Sequence, residues 1–229
     1  MALTAFKKAA ASGGKSSTVF NAALSFRLMW EGRDRTLEAQ AEATLGSPHG
    51  MGSSTQEAVA RLKAIPDMSA QFIAAYGHEP DRTSLLDALA TYERSLVTPG
   101  SRFDRWLDGD AGALSAEELN GYRSFKALGC VSCHQGVSVG GNLFQRHGIF
   151  HPLAAAEPKI LRVPSLRNVA TTAPYFHDGS APTLAEAVRR MAAAQLDQSL
   201  SDREIEAIVA FLGTLTGLYR GVPVRAPAP

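Results

Sequence analysis

Cysteine is almost missing from these 229 residues: there are two, Cys130 and Cys133. A tetrahedral zinc site built on a cysteine pair needs ligands that a second pair would bring, and none is there. Also missing is a βαβ pattern around the pair, which sets aside a thioredoxin-type redox dithiol. No apolar run approaches the length that spans a bilayer. Neither sign of charge dominates: 23 Lys and Arg against 22 Asp and Glu leave a net charge of +1, which gives no footprint for nucleic acid. The opening Met1-Ala2-Leu3-Thr4-Ala5-Phe6-Lys7-Lys8 puts its lysines after a very short apolar run, the reverse of a secretory leader.

What is present is Cys130-Val131-Ser132-Cys133-His134, the C-x-x-C-H spacing of c-type haem attachment. Two thiols one turn apart reach the two vinyl groups on one porphyrin edge, and the adjacent imidazole comes under the iron. In bacteria this attachment is a periplasmic process. The expectation is therefore a periplasmic protein whose leader was removed or whose chain was started internally.

With 45% hydrophobic residues the chain can bury one large core or two ordinary ones. Residues 1–17, rich in Ala, Ser, Gly and Lys, offer no apolar face and read as a flexible arm. The stretch Thr18 to Arg33 is dense in large apolar groups and reads as buried against something large and flat; Trp30, taken alone, reads as core packing. From Thr36 the pattern is helical. Helices are expected from Thr36, from the capping box Ser54–Glu57 to about Ile65, from Met68 to Tyr76 with Gly77 as the stop, and from Thr83 to Val97. The connector Phe103–Asp110 marks the domain boundary.

A second lobe opens with the box Ser115–Glu118, and its helix delivers the cysteine motif after Gly129. The long irregular stretch Gln135–Thr172 suits a loop wrapped around a bulky prosthetic group. Thr183–Glu186 opens a helix to about Gln195, Ser201–Glu204 opens the last, and the tail after Gly217 should be extended or disordered. Neither an internal repeat nor a strand pair is legible. The division expected is 1–17 arm, 18–100 first lobe, 101–220 haem lobe and 221–229 tail, in an all-α fold with two cytochrome c-like lobes, the first partial.

An electron-transfer haem wants a soft sixth ligand. Met1 is terminal and Met29, Met51 and Met68 fall in the first lobe, which leaves Met191, with ordinary helix packing as the competing reading. His147, His151 and His177 lie in or after the wrapping loop and His49 and His78 beside turns; each taken singly reads as a surface or hydrogen-bonded histidine. The Pro164 carbonyl is a candidate acceptor for the proximal Nδ1–H, and Arg162 and Arg167 are candidates for the haem propionates or, equally, for a solvated surface.

Seven stretches occur in one order: Trp30-Glu31-Gly32-Arg33 with Thr36 to Gln40, Ser101 to Arg105, Cys130 to His134, Val163 to Val169, Thr172 to Gly179, Met191 to Leu196 and Ile208 to Leu212. In this the chain resembles the bacterial di-haem cytochrome c peroxidases from about Thr18 to Gly217. The resemblance implies a high-potential electron-transfer haem in the C-terminal lobe with His134 and Met191 as axial ligands, and a peroxidatic haem in the N-terminal lobe. It places Trp30 between the haems and Gln40 near the peroxidatic pocket. It also implies a small cytochrome or cupredoxin as electron donor, a homodimer, and calcium at the lobe interface through an Asn side chain and carbonyls matched here by Thr172 and Pro174.

Departures accompany the matches. Residues 1–17 carry no first C-x-x-C-H. Gly50 stands where the family has its acid/base Glu, and a glycine cannot move a proton. Lys15 stands in the place of the calcium-binding Asn, and an ammonium repels a cation, so a normal calcium site is not expected. Two readings stay open: a hydrogen-peroxide-reducing enzyme of which this is an N-terminally truncated chain, or a mono-haem electron-transfer protein.

Overall fold

The computed structural model describes residues 17–153 and 160–226. Lys15 and most of the expected arm lie outside the described residues. Within them the chain is helical: α1 Leu37–Gly46, α2 Thr55–Lys63, α3 Pro66–Tyr76, α4 Arg82–Ser95, α5 Arg102–Leu107, α6 Ala116–Ala127, α7 Leu184–Leu196 and α8 Asp202–Gly213. Side-chain caps fix most starts. Thr36, Ser54, Ser115, Thr183 and Ser201 each accept from the backbone N–H three residues on, and at Ser115 and Ser201 the Glu three residues on returns the bond. The box expected at Ser54 is half made, because Glu57 instead accepts from Ser53 Oγ at 2.8 Å and from Arg61. Pro66 closes the preceding turn and also opens α3 at its first position, where the missing N–H costs nothing.

The C-terminal lobe is built on the crossing of α6 and α8. Gly121 makes it: a Cβ there would sit 1.9 Å from the Ala207 carbonyl oxygen, so the two backbones meet with no side chain between them. Phe103, Phe125, Ile208, Phe211, Leu212 and Leu215 fill the core around this contact. The N-terminal lobe has smaller clusters, Ala41, Leu45, Leu85 and Leu86 in one and Leu28, Leu37 and Ala90 in the other. Exposed ion pairs, Arg82–Glu42 and Arg94–Glu38, tie α4 to α1.

Two features correct the sequence reading. Two short antiparallel pairs exist, β1 Phe144–Arg146 with β2 Ile160–Arg162 inside the wrapping loop, and β3 Leu218–Tyr219 with β4 Val222–Pro223 in the expected tail. The two lobes also share a repeated substructure at a constant offset of 147 positions, from Asn21 to Asn168 and from Thr36 to Thr183. Asn21 and Asn168 both adopt the left-handed conformation at φ 60° and both precede a 3₁₀ turn, Ala22–Leu24 and Val169–Thr171. Bridges Leu28–Asp34 and Tyr175–Ala181 follow, each enclosing a residue at positive φ, Met29 and Phe176. A capped helix ends each copy. The copies meet at Thr98, whose Oγ1 accepts from Asn21 Nδ2 at 2.8 Å and from Asn168 Nδ2 at 2.9 Å. Asn21 Oδ1 accepts in turn from the Thr98 N–H and Asn168 Oδ1 from the Gly217 N–H, both at 2.9 Å.

Candidate functional site

The cysteine motif sits on one tight turn. Gly129, at φ 88°, ends α6, and the 3₁₀ turn Cys130–Ser132 begins at once. The Cys130 carbonyl accepts from the N–H of Cys133 at 3.3 Å and of His134 at 3.0 Å, which draws both thiols and the imidazole onto one short arc. Both thiols are free and half-buried, and burial pushes the Cys130 thiol up to about 11.

The His134 ring is half-buried, with its Nδ1 sealed from solvent and without a hydrogen bond. Burial pulls its pKa down to about 4; the nearby carbonyls of Val139 and Pro164 oppose this, although neither completes a hydrogen bond. The Pro164 carbonyl lies near the Nδ1 edge of the ring without accepting from it. Gly140 makes this edge possible. At φ 131°, a Cβ on it would lie 2.1 Å from the Pro164 oxygen and 3.3 Å from His134 Nδ1. Sequence reasoning missed this role; the paired glycines 140 and 141 were the signal available.

The β1–β2 hairpin flanks the motif, with Gln145 Nε2 4.0 Å from Cys133 Sγ. Met191 is half-buried on the inward stripe of α7 that also carries the buried Ala187 and Ala194, and Gln195, one turn on, donates to the Arg146 carbonyl at 2.9 Å. The two arginines part company. Arg167 pairs with Asp104 at 2.6 Å and donates to Ser101 Oγ and the Val137 carbonyl, so it is a structural cross-link. Arg162 is buried and donates from Nε to the Met29 carbonyl at 3.2 Å.

A second cluster lies at the lobe junction. Trp30 and His177 are edge to face at 6.4 Å between ring centroids, His177 and His147 at 5.1 Å, and His147 and Phe176 at 5.7 Å. His177 Nδ1 is sealed and unbonded. Burial, and then His177, hold His147 below the usual histidine range. The remaining histidines are peripheral: His151 bonds Asp197 at 3.0 Å on the surface, His78 lies against the Glu79 carbonyl, and His49 is exposed.

In the N-terminal lobe Gln40 Nε2 donates to Thr44 Oγ1 at 3.0 Å and approaches Met29 Sδ at 4.0 Å, while its Oε1 is sealed and unbonded. Gly50 packs on the end of α1, where a Cβ would lie 2.4 Å from the Thr44 carbonyl oxygen. Thr172 Oγ1 donates to the Val169 carbonyl and Pro174 is exposed. Among the described residues no three His, Cys, Asp or Glu side chains converge as a metal-binding group.

With this geometry in place, the family described as "Di-haem cytochrome c peroxidase" matches residues 4–112 and the family described as "Cytochrome c" matches residues 119–216. The methylamine utilization protein MauG of Methylophilus methylotrophus is 30% identical over 237 residues, covering 93% of this chain and 70% of its own. The chain belongs to the di-haem cytochrome c peroxidase family. Another relative, the cytochrome c551 peroxidase of Nitrosomonas europaea, is 39% identical over 217 residues, 87% of this chain; the chain spans only 64% of that peroxidase's length. Among solved structures, a MauG-like protein associated with microbial copper homeostasis superposes with a TM-score of 0.76 at 24% identity, covering 90% of this chain and 76% of that one. The shared fold is all-helical with two cytochrome c-like lobes, as expected for a member of the di-haem peroxidase family. Among the described residues no helix is long and apolar enough to cross a membrane.

Proposed function

We propose that this chain is a haem c electron-transfer protein of the di-haem peroxidase family, matured in the periplasm and passing electrons toward hydrogen peroxide reduction. The observation that carries the reading is the sealed, unbonded Nδ1 of His134 beside a single turn that presents Cys130, Cys133 and the imidazole together. The residues fit the group. Cys130 and Cys133 would hold the porphyrin edge, and His134 would present Nε2 while its Nδ1 edge stays against the Val139 and Pro164 carbonyls. Met191 would supply a soft sulfur ligand to the iron. Bound there, the haem supplies a one-electron iron centre. The donor would be a small cytochrome or cupredoxin.

A second reading, mono-haem electron transfer without peroxide turnover, is favoured by Gly50. The loop around it is folded on the Thr44 carbonyl with no room for a side chain, so this position offers no acid or base for cleaving peroxide. The test begins with intact mass and a pyridine haemochrome assay on chain matured in a haem-attaching host, where one covalent haem is expected. Met191→Ala should then let cyanide or imidazole bind and should lower the reduction potential; unchanged spectra and potential would return Met191 to packing. Steady-state oxidation of a reduced small cytochrome by hydrogen peroxide should be slow, and robust turnover would overturn the mono-haem reading.

A further inference from the structure

Arg162 is 8% exposed, and its interactions are with the backbone: its N–H donates to the Trp30 carbonyl at 2.8 Å and its Nε to the Met29 carbonyl at 3.2 Å. Among the described residues it has no carboxylate partner, and burial alone moves its pKa, downward. This contrasts with Arg167, which has Asp104. A buried charge is stable when an opposite charge meets it, and leaving one unmatched is strongly unfavourable. A buried guanidinium with no counter-ion among the described residues points to its ligand. That ligand is an anion, and a planar two-oxygen anion suits the fork best.

The location says which anion. Arg162 pairs in register with Phe144, and the next residue of β1, Gln145, reaches the Cys133 sulfur. Arg162 Nη1 lies 3.7 Å from where a Cβ on Gly141 would be, and the adjoining Gly140 covers the His134 ring. A group tethered at Cys130 and Cys133 by one edge of its macrocycle carries two propionate carboxylates on the opposite edge, and these are the anions such a group brings into the lobe. We infer that Arg162 clamps a haem propionate at the lobe boundary and, through its bonds to Met29 and Trp30, positions the backbone that presents Trp30. This deepens the haem reading and rests on it.

The test compares the haem-loaded full chain with Arg162→Met and Arg162→Lys. Intact mass comes first: absence of covalent haem from the parent chain after competent maturation would defeat the haem reading itself and the clamp with it. With haem attached, Arg162→Met should lower the reduction potential, because the propionate charge is then unopposed and favours ferric iron. It should also shift the propionate bending mode in resonance Raman and speed hydrogen exchange in the peptide containing Met29 and Trp30. Arg162→Lys should retain part of the potential but not the bidentate signature, and it carries the test if Arg162→Met does not fold. Normal haem content with potential and propionate mode equal to the parent in the folded variants would overturn the clamp. A shifted mode with unchanged exchange at Met29 and Trp30 would overturn the positioning role.

Discussion

Trp30 and His177 occupy the same place in the two copies of the repeated substructure, 147 positions apart, and their rings meet edge to face across the lobe boundary at 6.4 Å. One local fold thus presents a different ring from each side of the junction. Edge-to-face pairs contribute about 0.5–1.5 kcal/mol beyond the area they bury. Trp30→Phe should keep part of this contact and cost about 1 kcal/mol in urea unfolding. In the mono-haem reading it should leave electron transfer to a small cytochrome nearly unchanged.

Thr98 should be the most sensitive polar residue. Its hydroxyl is the common acceptor for Asn21 and Asn168, and all three residues are buried. Thr98→Val leaves two buried amide donors unpaired, at about 1–3 kcal/mol each, so a loss of roughly 2–6 kcal/mol is expected. Thr98→Ser should recover most of it. A larger loss for Ser than for Val would mean that packing of the methyl, not the shared hydroxyl, is what counts.

Gly121→Ala tests the α6–α8 crossing. In an exposed helix the change gains about 1 kcal/mol of propensity. Here the new methyl would stand 1.9 Å from the Ala207 carbonyl oxygen, so the helices must separate, and a net loss of about 1–3 kcal/mol is expected. Thermal unfolding of the haem-loaded protein gives the sign.

Glu93 gives a pH signature. Desolvation raises its carboxyl pKa, and near the C-terminal end of α4 the helix dipole also disfavours its charge. A carboxyl with a raised folded pKa binds its proton more tightly in the native state. Its unfavourable contribution therefore grows as pH climbs from the ordinary carboxyl range through the folded value, and is fully present above that value. Glu93→Gln should stabilise the chain at pH 7 by less than about 1 kcal/mol, after allowance for solvent screening. The gain should vanish by about pH 4. A gain independent of pH would assign the effect to packing.

The helices and the turn that carries the cysteine pair were legible because their signals are local: a Ser or Thr cap, apolar steps of three and four, and two cysteines in one turn. Thr36, Ser115, Thr183 and Ser201 cap where expected. The strands β1 and β2 were not legible, since three-residue strands inside an irregular loop leave no alternation to read. The repeat escaped because the copies share little beyond an Asn, an Ala, a Gly and a Thr-Leu pair at equal spacing, while Trp30 faces His177 and Thr44 stands opposite Met191 in the alignment. Local backbone geometry is common to both copies although the side chains differ. The separate fates of Arg162 and Arg167 also lay beyond sequence, because each depends on a partner far along the chain.

Electron tunnelling falls off exponentially with the gap it must cross, so the proposed role would depend on whatever fixes that gap. In this molecule the span between anything held by the first lobe and anything held by the second is pinned where two asparagines share the single oxygen of Thr98. A rotation of one lobe large enough to change a tunnelling rate would have to strain those two bonds together with the Arg162 bonds to Met29 and Trp30.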